Sequence, residues 1–177
     1  MIVELPDIRI FPDGCKEKSY PDAGAVYSPC EKYRYSLWRI WGEGDFLAVV
    51  GLNPSTATES VLDPTIRRCV QFAKDWGFGG LFMLNIFAWR ATDPRDMKAA
   101  DDPIGPANDQ YLRTVSVECA KILAAWGSHG QFVERSDQVK QILNQRLDCL
   151  GTTKTGQPRH PLYVPANRKP ELWWSPK

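Results

Sequence analysis

The residues best placed to do chemistry are polar side chains that close otherwise apolar runs. The run FLAVVGL ends in Asn53-Pro54-Ser55-Thr56-Ala57, the run LFMLNIFAW contains Asn85 and leads to Arg90, and KILAAWG is followed by Ser128-His129-Gly130. Further on, a proline-rich stretch holds Arg159-His160-Pro161-Leu162-Tyr163. Asn85 is the most informative of these, because an amide left unpaired in an apolar setting costs ~1–3 kcal/mol. It is either a structural hydrogen-bonder or a binding group, and a primary amide donates and accepts at once. Asn53 before Pro54 also fits a plain strand-to-helix turn, and the two roles can coexist. His160 reads equally as a site residue or a surface one, while His129 reads first as a loop histidine. Arg67 and Arg68 are solvated helix residues or the holders of a phosphate or carboxylate. Ser55 lacks the G-x-S-x-G setting of a nucleophile elbow, which speaks against a Ser–His hydrolase.

The elements that must position these residues follow from periodicity. Runs that are apolar without alternation, near 46–51, 81–85, 121–126 and 147–150, read as strands buried on both faces of a parallel sheet. Between them lie helical patterns. Asp63-Pro64-Thr65 caps one whose positions Ile66, Val70, Ala73 and Trp76 follow helical spacing up to Gly77. A second opens near Pro106 or Asn108, and RSDQVKQILNQRL supplies a third. Strands alternating with helices predict an α/β fold, a three-layer α/β/α sandwich with a central, mainly parallel sheet of about four strands. YRYSLWRIW and FLAVVGL, separated by Gly42-Glu43-Gly44-Asp45, read as a hairpin feeding that sheet. Residues 1–30, rich in proline, read as an irregular arm, and 31–177 as a single α/β domain. In open sheets of this kind ligands bind beyond the carboxyl ends of the strands, where the polar residues above stand.

Composition sets the limits. With 43% apolar and 24% charged residues the chain has the balance of an ordinary globular domain, which excludes disorder and coiled coil. Lys and Arg number 22 against 21 acids, so no global field draws it to nucleic acid or membrane, and any anion must be held locally. The local candidate is the segment after Gly151, where Lys154, Arg159, Arg168, Lys169 and Lys177 face only Glu171: a solvated terminal loop or an anion contact. No apolar run approaches the ~20 residues of a membrane span, and the first residues lack a signal-peptide pattern. A cytoplasmic location is the expectation. Five scattered cysteines without a C-x-x-C pair predict neither a disulfide framework nor a metal centre. No metal, cofactor or membrane partner is expected.

The motifs GLNPSTA, DPTIRRC, FAWRATDP, DPIGPAND, AWG, CLG and HPLY, spread over residues 33–174, resemble the family catalogued as domain of unknown function 1643, which implies no activity. More distantly, their order is similar to the uracil-DNA glycosylase superfamily: a strand ending in a short Gly-x-Asn-Pro loop (Gly51, Leu52, Asn53, Pro54, Ser55), a strand ending in Asn85 with a basic residue beyond it at Arg90, a strand ending at Gly127, and a late His160-Pro161. This second resemblance implies a nucleobase, a nucleotide or a nucleic-acid end as partner, and N-glycosidic hydrolysis as the reaction. That reaction needs a held water and a donor to the leaving base. Asn53 would hold the water, His160 the base oxygen, Asn85 the Watson–Crick edge, and Phe87 or Trp89 would stack on the ring. Arg67, Arg68 or Arg90 would stand at the mouth. The chain departs from that pattern in two ways. No Ser-containing loop follows His160-Pro161, and Asn53 replaces a stronger aspartate base, leaving Asp63, Asp101 or Asp102 to assist. A non-catalytic nucleobase- or nucleotide-binding module is therefore the alternative.

Overall fold

In the computed structural model, which describes residues 15–20, 22–56 and 63–177, one mixed sheet collects eight strands. These are β1 (Lys16–Tyr20), β2 (Ala23–Tyr27), β3 (Arg34–Ile40), β4 (Phe46–Gly51), β5 (Gly80–Asn85), β6 (Lys121–Ala124), β7 (Leu147–Cys149) and β8 (Glu171–Trp174), in the spatial order β1-β2-β3-β5-β4-β6-β7-β8. The helices are α1 (Pro64–Asp75), α2 (Pro94–Lys98), α3 (Asn108–Val117) and α4 (Arg135–Leu143). The parallel pairings β5–β4, β4–β6 and β6–β7 join the four strands expected from the apolar runs.

Three expectations are corrected. The sheet is mixed rather than mainly parallel, since β1, β2 and β3 extend it antiparallel at one edge and β8 at the other. β3 and β4 do not form a hairpin: β5 is inserted between them, so the 42–45 connection spans a strand instead of making a tight turn. The irregular arm expected over residues 1–30 is ordered from Lys16 to Tyr27 as the β1–β2 hairpin, whose register is fixed by Lys16↔Tyr27 and Tyr20↔Ala23. Residues 1–14 of that arm lie outside the described residues.

The unalternating strands are explained by two apolar clusters, one on each face. Leu47, Val49, Leu81, Met83 and Leu123 pack with Ile66, Cys69, Phe72 and Ala73 of α1. Their neighbours Ala48, Val50, Phe82, Leu84 and Ile122 pack with Leu112 and Val115 of α3 and Val139 and Leu143 of α4. With helices on both sides, every strand position must be apolar. The helix after β4 starts where its cap predicts: Asp63 Oδ1 accepts the Ile66 N–H at 2.8 Å, and Pro64 occupies the first turn. Burial pushes the thiols of Cys69 and Cys119 up to about 12, so these two are inert packing groups. No helix among the described residues is long and apolar enough to cross a membrane.

The order β5-β4-β6 places a topological switch at the carboxyl end of β4. From β4 the chain crosses to one side to form β5, then returns past β4 to form β6. Crevices open where such crossovers diverge.

Candidate functional site

A cavity of about 840 Å³ lies at that switch point. The end of β4 contributes Gly51, Leu52, Asn53 and Ser55, β5 contributes Met83 and Asn85, the end of β6 contributes Trp126 to His129, and the loop after β7 contributes Thr153, Lys154, Arg159 and His160. Of the residues assigned to a site by the glycosylase resemblance, Gly51, Leu52, Asn53, Ser55, Asn85, Gly127 and His160 line it.

Asn85 is its central polar group. The residue is 3% exposed, its side chain lines the cavity, and its amide has no hydrogen-bond partner among the described residues. Its main chain is held firmly from behind: Asn108 Nδ2 donates to the carbonyls of Asn85 and Ile86 at 2.9 and 3.1 Å, and the buried Arg135 donates from Nε to Ile86 at 2.7 Å. Arg135 also pairs with Asp109. The end of β5 is thus fixed while the amide it bears opens on the cavity, where its donor and its acceptor are both available to a ligand. Gly51 is the register partner of Asn85. A Cβ there would stand 2.8 Å from Asn85 Oδ1 and 3.1 Å from Met83 Cε, so glycine is what leaves the amide room. Gly51→Ala is expected to fold normally and to weaken any ligand that pairs with Asn85 by at least about tenfold, roughly 1.4 kcal/mol, as read by calorimetry; unchanged affinity would show that the amide is not the recognition group.

Asn53 has the structural role foreseen for it and also lines the cavity. Its Nδ2 donates to the main-chain carbonyls of Pro54, Trp89 and Ala91, at 2.8 Å for the last. The amide therefore pins the loop after β4 to the loop after β5, and its orientation leaves Oδ1 as the atom able to accept a hydrogen bond from a ligand or water. Asp63 lines the same cavity. Its Oδ1 caps α1 and its Oδ2 accepts from Ser55 Oγ at 2.9 Å.

His160 is fixed in one tautomer. Its Nδ1 accepts the Leu162 N–H at 3.3 Å, so the neutral ring carries its proton on Nε2 and acts as a donor there. Burial pulls its pKa below 6.5, against the opposing pull of Asp63, and the neutral form prevails at neutral pH. A second proton would have to go onto Nδ1 and would cost the bond to Leu162. Because the folded value lies below the unfolded one, the unfolded chain binds more protons at mildly acidic pH. The contribution of neutral His160 to stability is then complete above about pH 6.5 and is lost as the pH falls below it. In urea titrations between about pH 7.5 and 5, His160→Asn, whose Oδ1 can replace Nδ1 as acceptor, should show a shallower loss than the parent chain; parallel curves would refute this.

Other candidates stand elsewhere. Phe87 is fully buried, with its ring 5.9 Å from Phe132, and Trp89 packs edge-on against Tyr33, so neither stacks in the cavity. The aromatic residues that line it are Trp126 and Tyr163. Pro54 is buried and lends its carbonyl to Ala91 N–H. Arg90 is a structural tie: it donates to the carbonyls of Glu31 and Thr56 and lies over the Tyr27 ring. Arg68 donates to the Val164 carbonyl at 2.7 Å, and Arg67 is exposed on α1 outside the cavity lining. Asp102 caps the turn at Ile104 and Gly105.

Three cations take the place of those arginines. Arg34 is 3% exposed on β3 and lines the cavity; burial lowers its pKa, countered by Tyr27 and Asp63. Lys154 and Arg159 line the mouth. Arg34 sits between Tyr33 and Tyr35 in a stretch read as alternating, which would put it on the polar face; the strand is instead buried on both faces from Arg34 to Trp38. Among the described residues no group of three potential ligands lies close enough to share a metal ion.

Neither curated proteins nor solved structures match this chain. A family model does, over residues 34–162, a span that contains every cavity-lining residue except Tyr163. The chain that builds this cavity belongs to the family described as "Protein of unknown function (DUF1643)".

Proposed function

We propose that the cavity binds the base of a nucleoside or nucleotide and hydrolyses its N-glycosidic bond, in a three-layer arrangement similar to that of uracil-DNA glycosylases. The observation that carries the reading is the amide of Asn85, without a hydrogen-bond partner among the described residues, in a cavity that also holds a neutral imidazole donor. A nucleobase edge alternates donors and acceptors that an amide pairs bidentately, and a site built around such groups rejects analogues lacking them. Helices packed on both faces of the parallel strands support the layered arrangement.

In the hydrolysis, water held on Asn53 Oδ1 adds its oxygen to the anomeric carbon and releases a proton to solvent. The C–N bond breaks with its electron pair going to the base. The charge that develops on the base oxygen is met by the Nε2–H of His160, a donor preorganised by the Leu162 bond. Asn53 is an acceptor and cannot take the proton, so slow turnover is expected.

One observation favours the second reading, a binding module without catalysis. Asp63, which lines the cavity, already accepts from Ile66 N–H and from Ser55 Oγ, which ties up the carboxylate that would activate water. Chromatographic analysis of nucleosides, nucleotides and uracil-containing single and double strands after incubation with the chain separates the two. Release of free base that Asn85→Leu eliminates supports hydrolysis; saturable binding with no base released leaves the module, and neither binding nor release removes both.

A further inference from the structure

Lys154 and Arg159 are presented on a loop that is unusually well tied for a surface segment. Thr152 bridges Pro158, and Thr153 N–H donates to Gln157 O at 2.8 Å while its Oγ1 accepts from Gln157 N–H. The loop is also pinned from outside: Trp126 Nε1 donates to Gln157 Oε1, Gly127 N–H to Pro158 O, and Trp173 Nε1 to Gly156 O, all within 2.8–2.9 Å. Arg159 is further held by its own Nε, which donates to Thr152 O at 3.0 Å and fixes the plane of the guanidinium. Among the described residues neither Lys154 nor Arg159 has a carboxylate partner, whereas Arg95, Arg135, Arg146 and Arg168 all do. Two cations without carboxylate partners among the described residues, on a well-tied loop lining a cavity that Arg34 also lines, have the charge and the fixed geometry to hold an anion.

We infer that Lys154 and Arg159 form a phosphate subsite, and that the ligand of the cavity is a mononucleotide bearing a terminal phosphomonoester rather than a free base or the interior of a strand. This rests on the base-binding reading above and adds the substrate class. The cavity's 840 Å³ is far more than one planar ring fills and suits a small molecule of base, sugar and phosphate. An internal phosphodiester carries one negative charge, and a terminal monoester close to two, which matches two free cations better. With a net charge of +1 the chain has no global field that would draw a nucleic-acid backbone to it. If the bond is hydrolysed, water adds across the C–N bond of the bound mononucleotide to give the free base and the sugar phosphate.

The test is calorimetry of the full chain with UMP, CMP, AMP and GMP, with the corresponding nucleosides, with ribose 5-phosphate, and with a 5′-phosphorylated oligonucleotide. At least one mononucleotide should bind at least about tenfold tighter than its nucleoside, with the advantage shrinking as salt is raised. In a chain carrying Lys154→Met and Arg159→Gln, shown by thermal melting to be folded, that advantage should vanish. Equal affinity of nucleoside and nucleotide for the parent chain would overturn the phosphate subsite while leaving the base pocket in place. Ribose 5-phosphate binding as tightly as every mononucleotide, with no nucleoside bound, would uphold the subsite and overturn the base reading. A phosphorylated oligonucleotide binding more tightly than any mononucleotide would overturn the mononucleotide assignment, and no binding by any of these would overturn both.

Discussion

Asn85→Leu is expected to abolish nucleobase binding and, in the same protein, to raise the thermal midpoint. Leucine is close in shape to asparagine, and it replaces an amide that is 3% exposed and unpaired among the described residues. Replacing an amide that is largely withdrawn from bulk water and has no partner among the described residues by an apolar group returns about 1–2 kcal/mol, which for a chain of this size is a rise of roughly 2–8 °C. Stability gained with function lost is the mark of a group retained for a ligand. A structural amide would behave oppositely, and a lowered midpoint in Asn85→Leu would place Asn85 among the packing residues. Differential scanning fluorimetry beside calorimetry gives both readings on one sample.

Asn53→Asp should be the most damaging single-atom-scale change in the site, although it supplies the carboxylate that a stronger base would need. Asn53 Nδ2 donates to three main-chain carbonyls. A carboxylate has no proton to give them and turns a negative oxygen toward three negative dipole ends. The loss is about 2–4 kcal/mol at neutral pH, larger than for Asn53→Ala, which forfeits the bonds without the repulsion. The same dipoles raise the folded pKa of the introduced carboxyl above its unfolded value, so the native state binds more protons. The deficit relative to the parent chain should therefore shrink as the pH falls toward about 4.5. Hydrolysis should not increase. Urea titrations at the two pH values decide the matter: an Asn53→Asp variant as stable as the parent at neutral pH would mean that the loop does not depend on this pin.

What was legible in the sequence was what repeats or what stands at a fixed place on the sheet. Four apolar runs gave the parallel strands because a strand buried on both faces cannot alternate. Asn53, Asn85, Gly127 and His160 were recognisable because they follow those runs, and the ends of parallel strands face the crevice. Neighbouring strands in sequence need not pair, and that defeated the expected β3–β4 hairpin: nothing local in Gly42–Asp45 reveals that β5 will slip between. β1 and β8 are short edge strands and β2 is a short strand next to an edge, and their pairing comes from the rest of the sheet. Phe87 and Arg90 were misplaced because beyond Asn85 the strand ends, and side-chain direction no longer follows a period of two. Arg34 enters from an antiparallel strand and Lys154 from the long loop between β7 and β8, and only their charge marked them.

Recognition of a planar base rests on the Asn85 side-chain amide. The most direct measurement is an amide proton–nitrogen spectrum of the ¹⁵N-labelled chain, with the Asn85 NH₂ pair assigned by its disappearance in Asn85→Leu, titrated with nucleosides and mononucleotides. A saturable shift of that pair is expected with at least one base, accompanied by shifts at the main chain of Gly51 and at the His160–Leu162 turn, with weaker or absent shifts with the others. An Asn85 pair that stays in place with every base up to millimolar concentration, while the spectrum otherwise shows a folded chain, would contradict it.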